Sequence, residues 1–409
     1  MSQFEEKLVQ YAELAVKIGV NLQKGQILHI SAPILAADFV EQAVKIAYEV
    51  GAADVIVDWN DEKVTRLRFD LAPDEAFESF PEWEVQKMEA LVEKDAAFMT
   101  VFSQNPDLLA GVDSKRVALS QRTAGQKLQK SRAALMSGAV SRTLVSTPTP
   151  EWAKKVFPEL DTDAAIDALW EQIFTVTRVS EADPIASWKA HRANLTEKLD
   201  FLNGQQFKAL HYKGEGTELA LELPDNHVWI GGGIENAKGV YVYPNIPTEE
   251  VFTAPKRDGV NGKVTSTMPL NYAGTVIENF TLTFENGRIV GVTAEKGEET
   301  LKNLIETDEG SHHLGEVALV PNASPISQTG LIFYNTLFDE NASCHLAIGT
   351  SYSFNVQGGT SMSQDELLAA GLNNSLTHVD FMIGSATLDI DGETADGARV
   401  PLFRNGNWA

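Results

Sequence analysis

Cysteine is almost missing from this sequence: Cys344 is the single thiol in 409 residues. One thiol closes no disulfide within the chain. A disulfide-stapled secreted scaffold is therefore excluded, and a reducing cytoplasm is the expected setting. Positive charge is scarce too. Lys plus Arg number 33 against 57 Asp plus Glu, for a formal net charge of -24. A surface this acidic repels phosphate backbones and anionic headgroups, so neither nucleic acid nor membrane is expected as a partner. Metal ions and cationic substrates are favoured, although acidity alone mainly serves solubility and names no substrate. No apolar run approaches the roughly 18 to 20 residues of a membrane span. The opening MSQFEEKLVQYAELAVKIGV carries acids where a secretory leader has a basic start, so it predicts an amphipathic helix and not a signal peptide. A phosphate-cradling loop is also lacking. Gly231-Gly232-Gly233 has no Lys-Ser/Thr ending and reads as a tight turn. There is no internal repeat and no low-complexity segment.

What is present is an ordinary globular composition, 43% hydrophobic and 22% charged, in a chain too long for one typical core. Phe4, Leu8, Tyr11, Ala15 and Ile18 fall on one helical stripe that Gly19 ends. Residues 25–31, 53–59, 96–103 and 142–150 read as strands; 34–51, 81–95 and most of 112–138 read as helices. That alternation predicts a parallel sheet covered by helices. Residues 151–204 are predicted mostly helical, with Trp152, Trp170 and Trp188 as packing anchors. Beyond 205 the segments shorten. A hairpin is expected over 207–224, and antiparallel strands over 262–269 and 275–295. Asn286-Gly287 is a hairpin turn signal, and 298–310 reads as one helix closed by its final glycine. The expected fold is an α/β domain over 1–190 with a mainly parallel sheet, then an α+β domain over 191–409 with antiparallel strands that carry a dinuclear metal site.

Eight histidines are available. His29 sits in an apolar strand, and His191, His211 and His227 have no partner motif, so all four are expected to be structural. The C-terminal half differs. PTEEVFTAP (247–255) sets Glu249 and Glu250 side by side, and on an extended chain only one of them faces a given site. EGSHHLGEVALVP (309–321) puts Glu316 after a glycine at a strand start; its His312 and His313 read as loop residues. FDENASCHLAIGTSYSF (338–354) holds Asp339, Glu340, His345 and Tyr352. Glu340 and His345 lie five apart, roughly 140° on a helix, so they converge only if the chain turns between them. Cys344 reads as packing. In THVDFMIG (377–384), His378 and Asp380 share one face of a predicted strand, a good half-site for a divalent ion. Four short segments near Gly or Pro, rich in carboxylates and with two histidines, suit a two-metal site with a bridging carboxylate.

These four ordered segments resemble the M29 metallopeptidases, the thermophilic aminopeptidase family, over nearly the whole chain. The resemblance implies an exopeptidase that removes the N-terminal residue of peptides with a free N-terminus, using two divalent metal ions per subunit. Zinc, cobalt and magnesium all suit such a family. It implies Glu250, Glu316, Glu340, His345, His378 and Asp380 as metal ligands, with Glu316 bridging, and Tyr352 as the active-site tyrosine. It also implies a homodimer with the site enclosed between the domains. On this reading Tyr352 donates to the developing oxyanion, and Glu249 is a general base or an anchor for the substrate amine. Two other classes remain open. One is a different dinuclear hydrolase, an amidase or a phosphoesterase. The other is a non-catalytic α/β protein with a structural ion, although such sites favour thiolates.

Overall fold

The structure is a computed structural model that describes residues 2–409 apart from 104 and 274. Its contacts gather into two compact units, Met1–Ala190 with Gly233–Pro247, and His191–Gly232 with Thr248–Ala409.

In the first unit, Ile27–Pro33 (β1) buries Leu28, Ile30 and Ala32. It lies between Asp54–Asn60 (β2) and Ala97–Val101 (β3), and Arg142–Val145 (β4) follows β3. The order is β2-β1-β3-β4 and every pairing is parallel. Parallel neighbours need long crossovers, which helices such as Ala37–Glu49 and Glu82–Glu93 supply. The N-terminal helix Gln3–Glu13 starts in a capping box made by Ser2 and Glu5. Gly19 does not simply end it: Leu14–Gly19 continues as a π-helix. The wider turn changes which residues face inward, and Leu14, Ala15 and Val16 are all fully buried. Trp152 and Trp188 are fully buried, and Trp170 stacks on Phe174 at 5.1 Å. His29 is buried on β1, 2.7 Å from Asp58 on β2.

The second unit holds an eight-stranded and a five-stranded sheet. In the larger sheet, Ala209–Gly214 and Thr217–Glu222 form a hairpin. Thr281–Glu285 and Arg288–Thr293 form another, turning through Asn286 and Gly287 with φ of 49 and 81. Two positive angles make the turn that suits twisted strands, and a Cβ on Gly287 would stand 1.9 Å from the Arg257 carbonyl. The run 298–310 is not one helix. The helix is Glu298–Ile305, and Gly310 opens a 3₁₀ turn, Gly310–His312. Asp308 causes the break. Its carboxylate accepts the Ser311 and Leu376 N–H groups at 2.8 and 2.6 Å, an alternative to helix that Asp readily offers. Gly231 ends the short strand Ile230–Gly231, and Gly232 and Gly233 turn with positive φ. Among the described residues no helix is long and apolar enough to cross a membrane.

Candidate metal centre

The five-stranded sheet is antiparallel throughout. Its strands run His378–Met382, His345–Gly349, Leu314–Leu319, Val251–Thr253 and Ile230–Gly231 in spatial order. Side chains alternate along a strand, and residues paired across strands share a face. Val317 pairs with Leu346, and Leu346 with Phe381; all three lie in the hydrophobic core. The alternate residues make the other face: Glu316 pairs with Ala347 and Ala347 with Asp380, while Phe252 pairs with Ala318 and Ala318 with His345. His378 and Asp380 therefore share a face, and Glu250, two residues before Phe252, belongs to the same side. A bulge at Leu314/Glu316 sets this register. Gly315 makes it possible, because a Cβ there would stand 2.2 Å from the Thr350 carbonyl.

On this face the ligand-type atoms converge. His345 Nε2 lies 3.1 Å from Glu250 Oε2 and 3.5 Å from Glu316 Oε1. His378 Nε2 lies 3.5 Å from Glu316 Oε2 and 3.5 Å from Asp380 Oδ1. Two triads result, Glu250–Glu316–His345 and Glu316–His378–Asp380, each with donor atoms within 4.8 Å of one another. Glu316 belongs to both and offers one oxygen to each. Glu340 opens a 3₁₀ turn, Glu340–Ala342, so the chain does turn between it and His345. It stands outside the two triads, but its charge interacts with those of Asp380, Glu250, His345 and Glu316.

The charges on this face are poorly compensated. Burial pushes the Glu316 carboxyl up to about 7, and the charges of Asp380 and Glu250 add to the rise. Burial, then Asp380 and Glu250, holds Glu340 well above the usual carboxylate range. Burial alone would lower both imidazoles. Glu250 and Glu316 outweigh it and raise His345 far above its ordinary value, and Asp380 with Glu316 raises His378 to about 10. Asp380 alone moves down, because His378 outweighs its burial. Protons thus collect where positive charge is wanted.

A divalent cation fits this face. His345 Nδ1 donates to the Ser343 carbonyl at 3.0 Å, and His378 Nδ1 donates to the Thr350 carbonyl at 2.8 Å. Those bonds fix each ring and turn Nε2 toward the carboxylates, as metal-binding histidines require. Asp380 Oδ1 is buried and, beyond its 3.5 Å ion contact with His378, makes no hydrogen bond, a shortfall that a cation relieves. Carboxylates with two imidazoles are a hard-to-borderline donor set.

The remaining predicted residues fall as follows. Glu249 is buried 3.6 Å from His191 Nε2, which donates to the Thr248 carbonyl at 2.8 Å. Glu249 lies outside both triads. Tyr352 packs its ring 5.0 Å from that of His378. Cys344 is in the core, where burial pushes its thiol up to about 11 while Sγ exchanges hydrogen bonds with Val320. His313 donates to the Arg257 carbonyl, and His211 lies 2.8 Å from Glu393. His227 donates to the Pro224 carbonyl.

Asn341 was not singled out by the sequence. It is fully buried, accepts the Glu249 N–H at 2.8 Å and donates to the Leu337 carbonyl. It thereby ties the Glu249–Glu250 segment to the Glu340 turn. Its only signal was its place beside Glu340.

The family model of the thermophilic metalloproteases (M29) matches residues 4–408. Aminopeptidase AmpS of Bacillus subtilis (strain 168) is 57% identical over 409 residues, covering all of both chains. Aminopeptidase T of Thermus thermophilus is 43% identical over 408 residues, again covering both chains fully. The solved structure of wild-type AmpT from Thermus thermophilus matches with a TM-score of 0.94 at 42% identity, over 99% of this chain and 100% of that one. A match that spans the chain, with relatives this similar along their whole length, makes this protein a member of the M29 thermophilic metalloprotease family.

Proposed function

We propose that this protein is a metal-dependent aminopeptidase that hydrolyses the N-terminal residue from peptides with a free N-terminus. Two divalent ions per subunit, zinc, cobalt or magnesium, are held by Glu250, Glu316, Glu340, His345, His378 and Asp380. The carrying observation is the pair of ligand triads that share Glu316, one oxygen toward each histidine. When bound, such ions supply Lewis acidity toward a carbonyl and bring the pKa of a water toward neutrality.

The chain's own residues divide the remaining work. The His345 and His378 rings are held by backbone carbonyls and keep their lone pairs aimed inward. Tyr352 packs beside His378, and its hydroxyl donates to the developing oxyanion. Glu249, backed by His191, anchors the substrate ammonium or takes a proton. A homodimer and a cytoplasmic setting belong to the same reading, and sedimentation of the purified protein tests the first.

The deciding experiment is hydrolysis of aminoacyl chromophore substrates beside their N-acetylated counterparts, with chelator and then added zinc or cobalt. Cleavage limited to free amines, lost with chelator and restored by metal, is expected. Equal cleavage of acetylated substrates overturns the exopeptidase reading, and indifference to chelator overturns the metal reading.

A further inference from the structure

The ligand face does not end at the metal-type residues. Phe252 stands two residues after Glu250, on the same side of the strand Val251–Thr253, and is paired through Ala318 with His345. Its ring meets those of Tyr352 at 6.0 Å and Phe354 at 6.2 Å, both edge-on. Tyr352 and Phe354 lie flat against each other, 5.0 Å apart with planes 7° from parallel. The Tyr352 ring is also 5.0 Å from that of His378. Phe252 and His378 sit on strands three places apart, roughly 14 Å at ordinary sheet spacing. One tyrosine ring within reach of both therefore links the two sides of this face.

Phe252, Tyr352 and Phe354 are each only partly buried. Large aromatic rings left part-exposed beside a polar centre are a ready receptor for apolar surface, because burying them and a partner ring together is favourable. Phe252 and Phe354 have no polar atom to offer a metal ion or a water. The positions on the two strands between those of Phe252 and His378, Ala318 and Ala347, carry only methyl groups and are fully buried.

We propose that Phe252 and Phe354 form the wall that receives the side chain of the substrate's N-terminal residue, and that this wall selects apolar and above all aromatic side chains. The inference rests on the aminopeptidase reading. Tyr352 joins the two functions, since its ring stacks on Phe354 and also packs beside the imidazole of His378.

The test compares metal-loaded wild type with Phe252→Ala and Phe354→Leu on the p-nitroanilides of Phe, Leu, Ala, Lys and Glu. Wild type is expected to favour Phe and Leu over Ala by about tenfold or more in kcat/KM, the scale on which apolar pockets discriminate. Phe252→Ala is expected to cut the Phe-over-Ala ratio of kcat/KM about tenfold. Phe354→Leu keeps an apolar side chain and should lower the Phe-substrate advantage while sparing Leu. A Phe-over-Ala ratio unchanged in both variants overturns the proposal, as does a wild type that prefers Lys, which would indicate cation recognition by the rings. Calorimetric binding of L-phenylalanine against L-alanine supplies a readout that needs no turnover. Selective binding of L-phenylalanine lost in Phe252→Ala supports the wall even if no anilide is cleaved, in which case the aminopeptidase reading fails alone. Equal binding of the two amino acids to wild type overturns the wall.

Discussion

On one face of the five-stranded sheet Val317, Leu319, Leu346, Ile348 and Phe381 pack into the core; on the other, one step along each strand, Glu316, His345, His378 and Asp380 meet. The strands, their hydrogen bonds and their register are common to both faces. The apolar face gains by excluding water. The polar face loses by it, since buried carboxylates crowd together and protons gather on the imidazoles and on Glu316. The core face therefore sets how firmly the sheet holds. The ligand face converts that rigidity into a demand for cations that a flexible loop could not sustain.

Substitutions on either face should separate these two roles. The largest effect is expected from Glu316→Gln, which removes the charge shared by both triads. Activity should fall by about a thousandfold or more, ~4 kcal/mol on the barrier, with metal content reduced and the circular dichroism spectrum kept. Near-normal turnover in that variant would falsify the bridging role. On the opposite face, Phe381→Ala should cost about 3 to 5 kcal/mol of stability in urea unfolding while metal binding per folded molecule is kept. If instead metal is lost before stability, the two faces are not separable in this way. Tyr352→Phe should slow turnover about a hundredfold, as loss of one oxyanion donor does, with metal content unchanged by mass spectrometry. Loss of metal in that variant would recast Tyr352 as a support for His378.

A smaller effect tests the charge account directly. In the metal-free protein Glu316 is raised from 4.5 to about 7 and His378 from 6.5 to about 10. A raised group stabilises the fold in full below its unfolded pKa and loses that contribution as pH climbs through the folded value. The contribution from Glu316 should fade between 4.5 and about 7, and that from His378 between 6.5 and about 10. Chelated protein should accordingly melt several degrees lower at pH 9 than at pH 6. Added metal should restore more stability at the higher pH, because metal binding displaces these protons. A chelated melting temperature that rises from pH 6 to pH 9 contradicts the assignment.

Much of the local structure was legible in the sequence. Alternating apolar runs and helical stripes marked the four parallel strands and their helices, because those periods follow from backbone geometry alone. Asn286-Gly287 marked its hairpin because few residues accept two left-handed positions in succession. The common face of His378 and Asp380 was legible too, since alternation along a single strand is enough to set it. Where local signals competed with distant contacts, the sequence misled. The 298–310 helix stops at Ile305 because Asp308 binds groups as far away as Leu376, and Leu14–Gly19 widens into a π-helix where three successive residues are buried.

The sequence by itself determined the elements, the acidic character and the donor types, and the order of its motifs carried the family. Only the tertiary structure decided that Glu250 and not Glu249 turns toward His345, and that Glu316 offers an oxygen to each histidine. It also decided that the Ser343 and Thr350 carbonyls aim the rings, and that Phe252 continues the ligand face. Apart from the local bond between Ser343 and His345, these depend on register between segments that lie far apart in the chain. Alternation within a strand is a local property, but which strands pair, and at what offset, is set by packing across the whole sheet.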